Sequence, residues 1–387
     1  MEAYPQQFKQ FETRESQSDI ETQVQVPKSG RLVSLDVFRG LTILAMLLVN
    51  NLAGGEAAEK ALGHAPWNGG MHLADLVFPF FLFIVGVAVP YASASRKKKG
   101  LTSGQYILKS AGRMLVLIFL GCLIDSSIAR RPMFTIDVLQ LIGMAYFVGA
   151  LLYELPVYWR IPIAAVFLLA HWSAIRFVPI PNVGAGIFTE KTNLVSYVDQ
   201  TYLRPIGISG IISVIPTSAL VIVGTVIGDI LRNDQSSKAR RALLVMVSGL
   251  ILAGIGLVWN VDLPFNKPLW TASYITFTAG LATLLLGFLY FGIDVRGIKR
   301  WSFPFEVFGT NAIVAYVLPI LVKLYILRVW TFQTPGGVET NLQSAAIEYC
   351  RLLGGATLGG WLYTILYILF WWIVLLQFYR KKVFLHV

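Results

Sequence analysis

Apolar residues fall along this chain in long blocks separated by short polar stretches. A helix that crosses a bilayer needs about 20 mostly apolar residues. Ten blocks meet that length, at 33–52, 74–93, 107–126, 135–153, 159–178, 207–231, 241–259, 269–292, 304–327 and 357–379. They predict an all-α fold, a polytopic transmembrane helical bundle of about ten spans. The stretch 328–356 is too polar to cross and predicts a long loop with an amphipathic piece around Asn341–Leu353. Residues 1–30 are polar, with several Gln and Glu and no apolar core, so they read as a flexible cytoplasmic tail and not as a signal peptide. Residues 31–387 read as a single transmembrane domain.

Composition agrees with that pattern. Of the 387 residues 56% are hydrophobic and 14% charged, where a soluble protein carries about 25% charged residues. A net charge of +11 would suggest nucleic acid in a soluble domain. In a membrane chain the placement of cations between the spans is the better guide, and the expected partner is the lipid bilayer, with no nucleic acid. With the N-terminus inside, the inner segments hold 19 Lys and Arg and the outer segments 8. That bias predicts that both termini are cytoplasmic. Cys122 lies within a span and Cys350 in an outer loop, so no disulfide is expected, and no metal-ligand spacing is present.

The chemistry gathers between Arg31 and Pro90. Asn50 and Asn51 close the first span, His64 sits in the polar loop GHAPWNGG, and Asp75 opens the second span, all at the outer face. Imidazole titrates near neutral pH, so His64 suits a general base or a transient acyl carrier. An asparagine amide can orient that ring or donate to an oxyanion, and a carboxylate can hold one tautomer. The plainer alternative is a histidine resting beside Trp67 at the headgroup level. Asp36 and Arg39, spaced i, i+3, share a helix face near the inner end. They form either a structural ion pair or, with Arg113 and Lys109, a site for phosphate. Asn266, Lys267, Trp270, Thr271 and Ser273 form a second outer polar cluster, either an acceptor site or an interfacial tryptophan belt. Asn311 either lines a cavity or bonds a neighbouring backbone. The GxxxG pairs Gly224/Gly228 and Gly355/Gly359 predict close helix packing.

The words SLDVFRGLTI, VNN, HAPWNG and DLVFPFFLFIVG, in this order between Ser34 and Gly86, resemble the membrane-bound heparan-α-glucosaminide N-acetyltransferase family and its bacterial relatives. The resemblance continues through Asn193–Asp199, Ile211–Gly228, Leu263–Ala282 and Phe305–Pro319. It implies a bacterial inner-membrane enzyme that moves acetyl from cytoplasmic acetyl-CoA, as co-substrate and without a metal, to an amine or hydroxyl of an extracytoplasmic sugar or glycan. The family's active-site histidine lands on His64 and its asparagine on Asn50, with Asn51 adjacent. The expected catalytic set is thus His64, Asn50 and Asp75. The donor set is Asp36, Arg39, Arg113 and Asn311, and the acceptor set Asn51, Trp67, Asn68, Asn266, Lys267 and Trp270. From Asp36 to Asn50 is 14 residues, about 21 Å at ~1.5 Å per residue, a reach that suits the pantetheine arm of coenzyme A. Family members often read IPGVLQR where this chain reads IDVLQL (Ile136–Leu141), so Leu141 replaces an arginine and Asp137 enters. A transporter or flippase of a sugar-linked or acyl metabolite is the rival reading, which broken helices in a repeated pair would favour, and no such pair stands out. Association into a homo-oligomer is compatible with either.

Overall fold

A computed structural model of the chain describes residues 32–67, 69–333 and 339–384. The expected tail at 1–30 and the acceptor assignment of Asn68 fall outside these residues.

The described chain is a helical bundle. Its elements are α1 (Val33–Asn50), the short α2 (Glu56–Leu62), α3 (Leu73–Lys98), α4 (Ser103–Ala129), α5 (Val138–Leu152) and α6 (Val157–Phe177). They continue with α7 (Leu194–Val198), α8 (Val214–Arg232), α9 (Lys238–Trp259), α10 (Ala272–Tyr290), α11 (Phe303–Thr310) and α12 (Ala312–Val322). A small antiparallel hairpin, β1 (Thr331–Gln333) with β2 (Glu339–Asn341), leads into α13 (Leu342–Arg380). Among the described residues, eight helical segments are long and apolar enough to cross a membrane, or nine if α11 and α12 count as one bent span. This is the expected bundle of about ten spans; the remaining apolar block is α5, shorter at 15 residues, or about 22 Å at ~1.5 Å per residue.

One of the expected spans is interrupted, and a second break falls just ahead of the last span. The block 304–327 bends by 76° at Asn311, between α11 and α12. Asn311 leaves helical geometry (φ −123°, ψ 52°) and is fully buried, donating from Nδ2 to the Val383 carbonyl at 3.1 Å. Of its two expected alternatives, the backbone bond is the one observed. Within α13, Gly355 takes φ 75° and ψ 177°, which divides the amphipathic start from the apolar remainder. This corrects the packing role expected for Gly355, since glycine here supplies a left-handed backbone that a side chain would strain. The other pair behaves as expected. A Cβ on Gly224 or Gly228 would lie 2.6 Å from the carbonyl oxygens of Phe83 or Val87, so these glycines let α8 lie against α3.

α1, α3, α8 and α10 are half or more buried and form the centre, while α4, α6, α9 and α13 expose most of their apolar surface. That inverted exposure is what a lipid solvent permits. Ion pairs knit one end of the bundle, with Arg96 on Glu154 at 2.6 Å and Arg160 on Asp229. At the other end, the loops after α1, α4, α6, α9 and α12 meet. Lys323 donates to the Asn50 carbonyl at 2.8 Å, Ile136 N–H to the Ser209 carbonyl at 2.9 Å, and Trp172 to Asp262 at 2.6 Å. Both cysteines are free thiols, as expected.

Candidate active site

Asp75 is built into the start of α3. Its Oδ2 accepts the backbone N–H groups of His72 at 3.1 Å and Ala65 at 3.0 Å, the first of these being half of a capping box. Carboxylates are favoured in the first turn of a helix, where unpaired N–H groups gather. Tyr274 of α10 donates its hydroxyl to the Asp75 carbonyl at 2.5 Å. Only 4% of the Asp75 side chain is exposed. The remaining oxygen, Oδ1, faces His64 Nδ1 at 2.7 Å, while the His64 ring is 59% exposed. A carboxylate only accepts, so Nδ1 carries the proton toward Asp75 and Nε2 is left with a lone pair for chemistry.

The turn between α9 and α10 delivers a third charge. Asn266 organises this turn, accepting from Leu269 N–H at 2.9 Å and donating to the Trp67 carbonyl at 3.2 Å. Trp270 is held with positive φ (51°), its ring edge-on to Phe78 at 5.1 Å. Between them, Lys267 places Nζ 3.1 Å from His64 Nδ1 and 3.7 Å from Asp75 Oδ1. Nδ1 has one position to offer in its ring plane. Asp75 is closer and anionic, so it takes that position, and Lys267 serves as counter-charge to the carboxylate. Burial pulls the Lys267 ammonium below its usual range, against the opposing charges of Asp75 and Asp137.

These groups border one end of a cavity of about 990 Å³. Asn50, His64, Trp67, Asp75, Asn266, Lys267 and Trp270 all line it, as do Arg39 and Arg113. Between the two polar sets the wall is apolar, supplied by Met46, Val77, Phe81, Val85, Leu117 and Ile142 among others. Arg113 lies over the Tyr146 ring at 4.7 Å, and its buried Nε has no partner among the described residues. Arg39 bonds Asp36 at 3.2 Å and the Gly309 carbonyl at 3.4 Å, so the expected ion pair exists on a side chain that also reaches the cavity. His64 further borders a shallower pocket of about 350 Å³, lined by Glu59, Lys60 and His72, and so stands between two spaces.

Three expected site residues lie elsewhere. Asp36 and Asn311 do not line the cavity. Asn51 turns away as well, donating to the Leu47 carbonyl at 3.0 Å and accepting from Lys323 at 3.1 Å. Asn51 lies just past the end of α1, and its amide is engaged by Leu47 and Lys323 while Asn50 lines the cavity. Tyr146, Tyr274 and Asp137 belong to the site without having been expected there, and only Asp137 carried a sequence signal, as the departure within Ile136–Leu141.

Comparison with known proteins agrees with the geometry. Residues 31–258 match the family described as heparan-alpha-glucosaminide N-acetyltransferase, catalytic. The chain is similar to the human heparan-alpha-glucosaminide N-acetyltransferase, 28% identical over 351 residues, covering 74% of this chain and 52% of the relative. The mouse protein of the same name is 25% identical over 380 residues, covering 81% of this chain and 57% of the relative. The chain thus spans about half the length of the curated relatives it matches. With more than half of its residues inside the matched segment, the chain belongs to the heparan-alpha-glucosaminide N-acetyltransferase family.

Proposed function

We propose that the chain is an integral-membrane acetyltransferase that moves acetyl from acetyl-CoA to the amine of a sugar on the opposite side of the membrane. One observation carries the reading: a single cavity is lined by two arginines and by the His64–Asp75 pair, with an apolar wall between. Arg113 and Arg39 offer guanidinium groups to the donor's phosphates, the geometry arginine favours. The apolar middle suits a long uncharged arm. At the far end His64 Nε2 removes the proton of the acceptor amine as its nitrogen attacks the thioester carbon, the C–S bond breaks, and the imidazolium returns the proton to the departing coenzyme A sulfur; on the alternative course His64 carries the acetyl group in transit. Asp75 fixes the tautomer and stabilises the imidazolium that forms, and the amide of Asn50, which lines the same cavity, donates to the carbonyl oxygen. The names of the relatives support the acetyl chemistry and an amino-sugar acceptor. The 19 to 8 cation bias supports donor access from the cytoplasm, both termini on that side, and an acceptor outside a bacterial inner membrane.

The test is acetyl transfer from labelled acetyl-CoA to a panel of amino sugars by the purified protein and by His64→Ala. Transfer by the parent, lost at least a hundredfold in a well-folded variant, is the expected result. Turnover near that of the parent would remove His64 from the mechanism. The broken span at Asn311 favours a second reading, a transporter, since such breaks often frame substrate paths. Uptake of labelled sugar into proteoliposomes without acetylation would select it.

A further inference from the structure

The cavity contains a carboxylate that the His64 arrangement does not use. Asp75 is saturated, with two backbone amides on Oδ2 and His64 on Oδ1. Asp125, behind the wall, is held by Thr135 at 3.1 Å and Gln140 at 2.7 Å. Asp137 differs from both. It lines the cavity between Ile136 and Val138, which line it too. It occupies the N-cap position of α5, where an aspartate ordinarily accepts from the second or third amide of the helix. Here its side chain makes no such cap. It forms no ion pair among the described residues, and water reaches it through the cavity. Its backbone is fixed in place, because Ile136 N–H donates to the Ser209 carbonyl at 2.9 Å and the Asp137 carbonyl accepts from Leu141 at 2.9 Å. Asp137 lies in the loop after α4, at the same end of the bundle as the loops after α1 and α9, and lines the cavity that His64 and Lys267 line.

A water-accessible carboxylate on the cavity wall, with no cation hydrogen-bonded to it among the described residues, is open to a charge-assisted contact from a cationic ligand. Lys267 is already committed to Asp75. We propose that Asp137 is the specificity residue for the acceptor: it binds the ammonium form of an amine acceptor beside His64, so that the cavity selects an aminated sugar over its neutral hydroxyl counterpart, and the bound ammonium releases one proton to water before the neutral amine attacks and gives its second proton to His64. The inference rests on the acetyl-transfer reading and assigns a residue to its acceptor. A neutral hydroxyl offers this carboxylate one ordinary hydrogen bond, whereas an ammonium offers charge and up to three donors.

The experiment measures steady-state acetylation of D-glucosamine by the purified full chain, its Asp137→Asn and Asp137→Glu variants, with D-glucose as a competing neutral ligand. Thermal melting in detergent establishes that each variant is folded. Asp137→Asn is expected to raise KM for D-glucosamine tenfold or more while KM for acetyl-CoA moves less than twofold. Asp137→Glu should recover most of the loss, and inhibition by D-glucose, which carries no charge, should be the same in all three proteins. An unchanged KM for D-glucosamine in Asp137→Asn, or equal increases for D-glucosamine and acetyl-CoA, would overturn the assignment and leave the acetyltransferase reading standing. If the parent acetylates no amino sugar, the reading itself falls, and the assignment with it.

Discussion

Replacing Asp75 by Asn tests the proposed chemistry most sharply, because the surroundings of Asp75 dictate how the new amide must sit. Two backbone N–H groups, from Ala65 and His72, point at Oδ2. The asparagine must present its oxygen to them, which turns its NH2 toward His64 Nδ1. The reverse orientation sets donors against donors and strands two buried N–H groups, at about 1–3 kcal/mol each. The favoured orientation therefore wins by at least tenfold, since 1.4 kcal/mol is about a factor of ten. An NH2 facing Nδ1 makes Nδ1 an acceptor and moves the ring proton to Nε2. A base whose lone pair has been replaced by a proton cannot accept another. The analogous substitution in a serine-protease triad lowers turnover about 10⁴-fold, and a fall of roughly 10²- to 10⁴-fold in kcat is expected here. Stability should change little, because the hydrogen bonds to Ala65 and His72 survive. The assay is transfer of labelled acetyl to an amino sugar between pH 6 and 9, with melting curves alongside. Turnover within about threefold of the parent in a folded Asp75→Asn protein would refute the tautomer argument.

Two further outcomes follow from the same site. Arg113→Met should weaken coenzyme A binding about ten- to a hundredfold in calorimetric titration, the loss of one charge-assisted contact of roughly 1.5–3 kcal/mol, and unchanged affinity would remove Arg113 from the donor site. Lys267 has its ammonium lowered by burial from 10.5. Below its folded-state value both states hold the proton. Between that value and 10.5 the unfolded chain holds the proton that the folded chain has released, so stability rises with pH there. Lys267→Met should abolish that rise in melting curves taken up to pH 10.5, and parallel curves for the two proteins would contradict it.

Much of the site could be read from the sequence because its first half is local. His64 and Asp75 are 11 residues apart, joined by a polar loop between two apolar blocks, and the structure closes that loop with a 2.7 Å contact. The end of α1 was not legible, and it decides between Asn50 and Asn51. Lys267 reads as polar and near the right face, but its contact with His64 spans 203 residues of chain and depends on how α9 and α10 enter the bundle. Hydropathy could not reveal the break at Asn311 either. Gly309-Thr310-Asn311 is short, and the apolar run continues through it. The break accompanies tertiary contacts: a Cβ on Gly309 would lie 2.0 Å from the Asp36 carbonyl oxygen, and Asn311 spends its amide on Val383.

The apolar wall between the arginines and His64 has an electrical meaning. Moving one elementary charge through the full membrane potential costs or yields about 2.3 kcal/mol per 100 mV. In the proposed reaction the donor's phosphates stay with Arg39 and Arg113, and only a neutral chain and a neutral acetyl group occupy the Met46–Phe81–Leu117 stretch. The acetyl group then crosses the hydrophobic layer without carrying charge through the field, and the proton taken from the amine passes through His64 to the departing sulfur, so that coenzyme A withdraws as a neutral thiol. Such a transfer is voltage-independent. A cell could de-energise its membrane without slowing the enzyme, as long as acetyl-CoA remained.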